Sequence, residues 1–90
     1  MAGGKLIGES MVYAREAGFT EQFSYVASGN GQGQIEYQGK APAGTLSTTA
    51  RWQLRRFTYD SDSRITAIEW ATGSDGFDHV WNDRATLTYA

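Results

Sequence analysis

The chain has 90 residues, of which 11 are Gly, one is Pro and none is Cys, and its formal net charge at pH 7 is −2. This length predicts one domain spanning residues 1–90, and the lack of Cys excludes disulfide frameworks, thiol nucleophiles and Cys-ligated zinc. The slightly acidic balance gives no long-range attraction for nucleic acids or acidic membranes. The opening MAGGKLIGESMVYA fits neither a signal peptide nor a membrane-spanning helix, so we expect a soluble cytosolic product.

Short strands joined by turns are predicted along the first half of the chain. Residues 1–18 are ambiguous between a strand and two turns of helix, and we favour the strand. Residues 20–27 alternate between apolar and polar side chains, as in a half-buried strand, and residues 34–38 alternate again. The glycine-rich stretch 28–33 lies between them and can supply the positive φ angles of a tight turn. We therefore expect a hairpin here.

A second hairpin is predicted in the middle of the chain. Residues 39–50, GKAPAGTLSTTA, contain the only Pro and are mostly small, which favours an extended loop or arm. Residues 52–59 and 64–70 have strand-like composition on either side of Asp-Ser-Asp-Ser at 60–63. Asp and Ser side chains in such a turn hydrogen-bond nearby backbone groups and stabilise the connection.

One helical turn and a closing strand are predicted near the end of the chain. Phe77, Val80 and Trp81 have the i, i+3, i+4 spacing of one helical face, and residues 84–89 read as a strand. The expected fold class is all-β, mainly antiparallel: a small β-sandwich or β-barrel of hairpins with at most one short helical turn. The expected internal framework consists of the large apolar side chains Trp52, Leu54, Ile68, Trp70, Phe77, Trp81 and Leu87.

Two turns contain residue types that occur in ligand sites but lack the required spacing. The glycines in 29–33 are not followed by the further glycine and helix of a dinucleotide site, so they indicate a plain hairpin turn. The turn 60–63 offers the first two ligands of a calcium loop. However, Ile65 and Ala71 stand where that loop requires Gly and Glu, which favours a solvated turn.

His79, the only histidine, lies among several aspartates and could form an acid-base pair or part of a metal site. If Phe77 and Trp81 face the core, His79 points outward and Asp75 caps the helical turn. No nucleophile motif of the Gly-x-Ser-x-Gly type is present. We therefore expect no catalytic residue, no metal, no cofactor and no enzyme activity.

Three arginines between residues 51 and 56 are interleaved with aromatic side chains, a mixture typical of single-stranded nucleic-acid binders. The same aromatics are usually core in small β proteins, with Arg on the opposite strand face paired to carboxylates such as Glu36 or Glu69. An exposed Trp or Tyr could equally stack on a sugar ring. Binding of carbohydrate or nucleic acid therefore stands as the alternative function.

Residues 37–90 resemble a group of small virion proteins encoded by tailed bacteriophages. The resemblance is carried by YQGKAPAG, WQLRRFTYD, ITAIEWATGS and FDHVWNDRATLTY, and Trp-x-Leu-Arg-Arg and Phe-Asp-x-x-Trp-x-x-Arg-Ala are its more specific groups. It implies a structural protein that is made in the host cytoplasm and assembles in multiple copies on the virion, as head decoration or cement or as a head-tail or tail component.

The partners that this resemblance implies are copies of the chain itself and other virion proteins, such as major capsid, connector or tail proteins. A small β domain with exposed strand edges gains stability by pairing with neighbours. We expect no membrane and no small-molecule cofactor, and nucleic acid is not an expected partner. The expected contacts to partners are the N-terminal segment and side chains without an evident intramolecular role: Lys40, Pro42, Leu46, Arg55 and Arg56.

Overall fold

The computed structural model describes residues 18–90. These residues form one four-stranded antiparallel sheet in which each strand pairs with its neighbour in sequence. The predicted all-β class, with antiparallel hairpins and one short helical turn, is confirmed. Residues 18–90 form one open sheet, however, and neither the two packed sheets of a β-sandwich nor a closed β-barrel. The elements are β1 (Phe19–Tyr25), β2 (Ile35–Pro42), β3 (Gln53–Tyr59), β4 (Ile65–Trp70) and a 3₁₀ turn, η1 (Trp81–Asp83).

The β1–β2 hairpin turns through glycines with positive φ, at Gly29, Gly31 and Gly33. Gly31 is required for a second reason, because a Cβ at this position would collide with the side chain of Tyr59. The turn is closed by backbone bonds, including one of 2.8 Å from the N–H of Gln34 to the carbonyl of Gly31. These glycines therefore serve the chain reversal, as the sequence predicts.

Asp60 closes the β3–β4 hairpin. Its Oδ1 accepts hydrogen bonds from the backbone N–H groups of Asp62 and Arg64, at 2.8 and 3.0 Å. Its Oδ2 accepts a third bond of 2.9 Å from Nε of Arg64. The bond from the Arg64 backbone is the main reason why the pKa of Asp60 lies below its ordinary value.

The hydrophobic core lies on one face of the sheet. Trp52 and Leu54 of the β3 segment are fully buried, and Trp81 of η1 covers them at 5% exposure. The rings of Trp52 and Trp81 have their centroids 5.9 Å apart, and the indole N–H of Trp52 donates to the carbonyl of Leu46 at 2.9 Å. Gly39 of β2 allows this arrangement, because a Cβ there would lie 2.6 Å from Cε3 of Trp81.

Part of the predicted framework does not belong to this core. Leu87 packs against it as a partly buried side chain. Ile68 and Phe77 are 48% and 41% exposed, so their prediction as core residues is wrong, and Trp70 is only half-buried. Ile68 and Trp70 of β4 pair with Phe57 and Arg55 of β3. Paired residues point to the same face of a sheet, and Phe57 and Arg55 alternate with the buried Leu54, so Ile68 and Trp70 lie on the face opposite the core.

Several predicted boundaries also change. Gly39–Pro42, which was expected to begin the loop at 39–50, instead completes β2. The helical turn begins at Trp81 rather than Phe77. The expected strand at 84–89 is reduced to a bridge between Ala71 and Tyr89. The strand predicted within residues 1–18 lies almost wholly outside the described residues.

Candidate functional site: the open face of the sheet

The sheet has a second face, opposite the core, which we call the open face. By strand register its side chains come from all four strands. None of them is buried, and Phe23, Tyr25 and Ile68 are 41%, 58% and 48% exposed. The open face consists of Phe19, Glu21, Phe23, Tyr25, Gln38, Lys40, Gln53, Arg55, Phe57, Ile68 and Trp70.

A hydrogen-bonded polar row crosses the centre of the open face. Nε of Arg55 on β3 donates to Oε1 of Gln38 on β2 at 2.8 Å. Nε2 of the same Gln38 donates to Oε1 of Glu21 on β1 at 3.5 Å. Because one amide uses its oxygen towards Arg55 and its nitrogen towards Glu21, its orientation is fixed by its two neighbours.

Cations lie over aromatic rings on both sides of this row. The guanidinium carbon of Arg55 is 5.2 Å from the ring centroid of Phe57 and 5.7 Å from that of Trp70. Nζ of Lys40 is 4.7 Å from the ring centroid of Phe19. Each such contact contributes about 0.5–1 kcal/mol at an exposed site, so these contacts hold the long side chains against the sheet.

The polar row and the Trp70 ring enclose a shallow groove of about 370 Å³. One end is closed by Gln53, whose amide nitrogen donates to the carbonyl of Asp75 at 2.8 Å. Most of the groove surface is amide, carboxylate or cationic, with a single large ring. It is lined by Glu21, Gln38, Lys40, Gln53, Arg55 and Trp70.

The groove contains two of the expected partner contacts, Lys40 and Arg55. Arg56 lies on the core face, where its NH2 is 2.8 Å from Oε1 of Glu69 and its guanidinium carbon is 5.0 Å from the ring centroid of Tyr89. The premise that Arg55 and Arg56 lack an intramolecular role is therefore wrong, since Arg55 is hydrogen-bonded to Gln38 and lies over two rings. The anticipated pairing of an arginine with Glu69 is present.

The remaining expected contacts lie away from the groove. Pro42 ends β2 opposite Phe19 and is half-buried. Leu46 lies in the loop after β2, and its side chain is 68% exposed while its carbonyl accepts the bond from Trp52. Leu46 therefore combines an internal backbone role with a solvent-facing side chain.

The side chain of His79 is only 10% exposed, so the prediction that it points outward is wrong. His79 lies in an extended segment whose backbone pairs with that of Trp52, rather than on a helical turn. Its Nε2 is 3.0 Å from the hydroxyl of Thr72. Asp75 does not cap η1, since the N-cap position is Val80 and no side chain bonds there. Within residues 18–90 no group of three or more acidic or histidine side chains is arranged to hold a metal.

Two tyrosines contact each other beside the core, with the ring centroids of Tyr37 and Tyr89 5.6 Å apart. The hydroxyl of Tyr89 donates to the carbonyl of Arg84 at 2.8 Å. Burial raises the pKa of Tyr89 to about 12, and burial is also the main cause that raises the pKa of Tyr37. This pair anchors the end of the chain to the sheet.

Sequence reasoning missed three residues of the groove: Glu21, Gln38 and Gln53. The available signal was the alternation in β1, which places Glu21 on the same strand face as Phe19, Phe23 and Tyr25. The pairing of strands, which aligns Glu21 with Lys40 and brings Gln38 within reach, is not readable from one strand alone.

Comparison with known proteins found no matching family model, no similar curated protein and no similar solved structure. Between residues 18 and 90 the structure has no helix long and apolar enough to cross a membrane.

Proposed function

We propose that the chain is a non-enzymatic structural protein of a tailed-bacteriophage virion, which assembles in multiple copies as head decoration or cement or as a head-tail or tail component. Its partners are copies of itself and major capsid, connector or tail proteins. The sequence resemblance supports a bacteriophage virion as the particle. The open face is the surface that would be covered on assembly.

The single observation that carries the proposal is that residues 18–90 cover only one face of the sheet. Phe23, Tyr25 and Ile68 expose between 41% and 58% of their surface on the other face. Exposed aromatic and aliphatic side chains are typical of protein interfaces, where aromatic and Arg side chains act as anchors. The open face also contains Arg55, held between aromatic rings and therefore ordered before any partner binds.

The direct test is quantitative mass spectrometry of purified particles from a phage that encodes the chain. A copy number near that of the major capsid protein is expected for head decoration, and a few to a few dozen copies for a connector or tail role. Absence of the chain from washed particles would overturn the proposal.

The groove favours a second candidate, a small module that binds carbohydrate or single-stranded nucleic acid. Trp70 offers a ring for stacking, while Gln38, Gln53 and Arg55 offer hydrogen-bond donors beside it. Gln53 and Arg55 are already hydrogen-bonded within the chain, so a ligand would have to use their remaining donors.

The two candidates differ in their response to Trp70→Ala. A binding module would lose its affinity for an oligosaccharide or oligonucleotide, while Tyr25→Ala, which removes an exposed open-face ring outside the groove, would retain it. Calorimetric titration of both variants against a glycan panel and a mixed oligonucleotide tests this. The absence of binding by the wild-type chain would remove the second candidate.

A further inference from the structure

We propose that two copies of the chain associate through β1, edge to edge and antiparallel, so that their four-stranded sheets join into one continuous sheet. This inference rests on the proposed function, because it names the contact by which copies of the chain would first associate. The partner is a second copy of the same chain.

The backbone of β1 presents a regular row of hydrogen-bonding groups to the outside of the sheet. The carbonyl of Gly18 accepts from the N–H of Ala43, and Val26 exchanges bonds with Gln34 and Gly33, so even-numbered residues face β2. In an antiparallel ladder the residues between them point their N–H and C=O groups the other way. Those outward-facing residues are Phe19, Glu21, Phe23 and Tyr25.

The alternating direction of the β1 backbone groups is kept even though the β1–β2 pair contains a β-bulge. The register passes from Ser24 opposite Tyr37 to Tyr25 opposite Ile35, so the extra residue is Glu36 on β2. The bulge therefore bends the partner strand and leaves the alternation of β1 intact.

The other edge of the sheet, β4, is protected. Trp70 and Ala90 exchange two backbone bonds of 3.0 Å, and the N–H of Thr72 donates to the carbonyl of Thr88 at 2.7 Å, so the end of the chain covers this part of the edge. Further along, the step from Ala67 to Ile65 in the pairing makes a bulge at Thr66. Coverage and bulges are both devices that prevent edge-to-edge pairing.

β1 has neither device within residues 18–90. It is the terminal strand of the sheet order, and its sequence FTEQFSY contains no Pro, Lys or Arg. Its only charged side chain is Glu21. An edge strand of this kind is a template for pairing with another chain.

Charge excludes one register of the paired strands. A two-fold axis at Glu21 would place two carboxylates directly opposite each other, which is unfavourable. An axis at Gln22 instead sets Glu21 opposite Phe23 of the partner subunit, and Phe19 opposite Tyr25 of the partner subunit. Opposed residues whose backbones face the interface exchange two hydrogen bonds per pair.

Pairing in this register also covers part of the exposed aromatic surface. Phe19, Phe23 and Tyr25 are 39%, 41% and 58% exposed, and all three side chains lie on the open face. Phe19 and Tyr25 would form favourable aromatic pairs across the seam, and Phe23 would lie beside Glu21 of the partner subunit. The open faces of the two copies would then form one surface, available to a further partner.

Glu21→Pro tests the pairing selectively. The N–H of Glu21 points away from β2, so proline removes an outward donor without breaking the β1–β2 ladder, and proline is tolerated at such edge positions. Glu21→Ala is the matched control, because it removes the same side chain and keeps the N–H. Phe23→Glu is an independent variant, because in this register it places a second carboxylate directly opposite Glu21 of the partner subunit.

Sedimentation equilibrium of the full chain gives the readout. We expect wild type and Glu21→Ala to approach twice the chain mass of 9.9 kDa as concentration rises. Glu21→Pro, which loses hydrogen bonds at the seam, and Phe23→Glu, which opposes two like charges, should each raise the dissociation constant by at least about tenfold. Circular dichroism checks that each variant folds, and Phe23→Glu decides the result if Glu21→Pro does not fold.

A wild-type chain that keeps the single-chain mass over the whole concentration range would overturn the inference. Dimers of Glu21→Pro as tight as those of Glu21→Ala, or of Phe23→Glu as tight as wild type, would also overturn it and leave the proposed function standing on another contact. Absence of the chain from particles would instead overturn the proposed function. The sedimentation of the purified protein would then still decide whether β1 pairs with a second copy.

Discussion

Gly39 is the position where one added methyl group should be felt most strongly by the core. A Cβ at residue 39 would lie 2.6 Å from Cε3 and 2.8 Å from Cζ3 of Trp81, and 3.0 Å from Cε3 of Trp52. Both rings are buried, at 5% and 0% exposure, so neither can move into solvent without losing its packing. Overpacking of this kind costs about 1–3 kcal/mol.

We therefore expect Gly39→Ala to lower the free energy of unfolding by about 1–3 kcal/mol, a large fraction of the stability of so small a protein. Urea denaturation followed by tryptophan fluorescence measures the change, and an unaltered denaturant slope shows that the native state is as compact as before. Near-ultraviolet circular dichroism should also change, because the two indoles contact each other.

Gly18→Ala is the matched control. A Cβ at residue 18 meets no atom of residues 18–90 within 4 Å, and this glycine has no positive φ. Its replacement should leave stability unchanged or raise it by up to about 1 kcal/mol, through the smaller entropy of the unfolded chain. If Gly39→Ala unfolds within about 0.5 kcal/mol of Gly18→Ala, the two rings do not pack on the β2 backbone as described, and the account of the core is refuted.

Three further predictions concern the covered face and the second hairpin. Trp52→Ala should cost about 3–5 kcal/mol in chemical denaturation, while Leu46→Ala should change stability by less than about 0.5 kcal/mol, and equal losses would contradict the burial of one and the exposure of the other. The pKa of Tyr89 is raised from 10.0 to about 12, so the contribution of this phenol to stability is complete below pH 10 and is lost as pH rises through 12. Spectrophotometric titration should show a late phenol step that Tyr89→Phe removes. If the step persists in the variant, it belongs to another tyrosine. The pKa of Asp60 is lowered, so the contribution of its carboxylate to stability is present above pH 3.8 and is lost as pH falls through the folded-state pKa. Asp60→Ala should therefore reduce the thermal midpoint more at pH 7 than at pH 2. An equal reduction at both pH values would show that the ionised carboxylate does not stabilise the turn.

The second hairpin could be predicted because its cause is local. Asp60 bonds the backbone of residues two and four positions later, so the turn depends on neighbours in sequence. The alternation of β1 was similarly readable, since the exposed residues fall at every second position. Trp52 and Leu54 were identified as core residues, and both are fully buried.

The open face could not be predicted because it depends on which side of the sheet the end of the chain crosses. Ile68 and Trp70 are the largest apolar side chains of β4, and hydrophobicity alone assigns them to the core. Trp81 instead packs over Gly39, where the missing side chain leaves room for a ring, and the small residue Ala71 lies on that same side. The face with small residues is therefore the one that is covered.

His79 was misassigned for a related reason. The spacing of Phe77, Val80 and Trp81 matches a helical turn, but residue 79 is held in an extended bridge by Trp52. That bridge joins residues far apart in sequence, so periodicity within a short window cannot reveal it.

The central claim is that the open face is the surface covered on assembly. Hydroxyl-radical footprinting with mass spectrometry should compare the free chain with the chain in purified particles, following oxidation at Phe23, Trp70 and Leu46. The account predicts that Phe23 and Trp70 become protected in the particle. Unchanged oxidation of both open-face rings, with protection confined to Leu46, would contradict it.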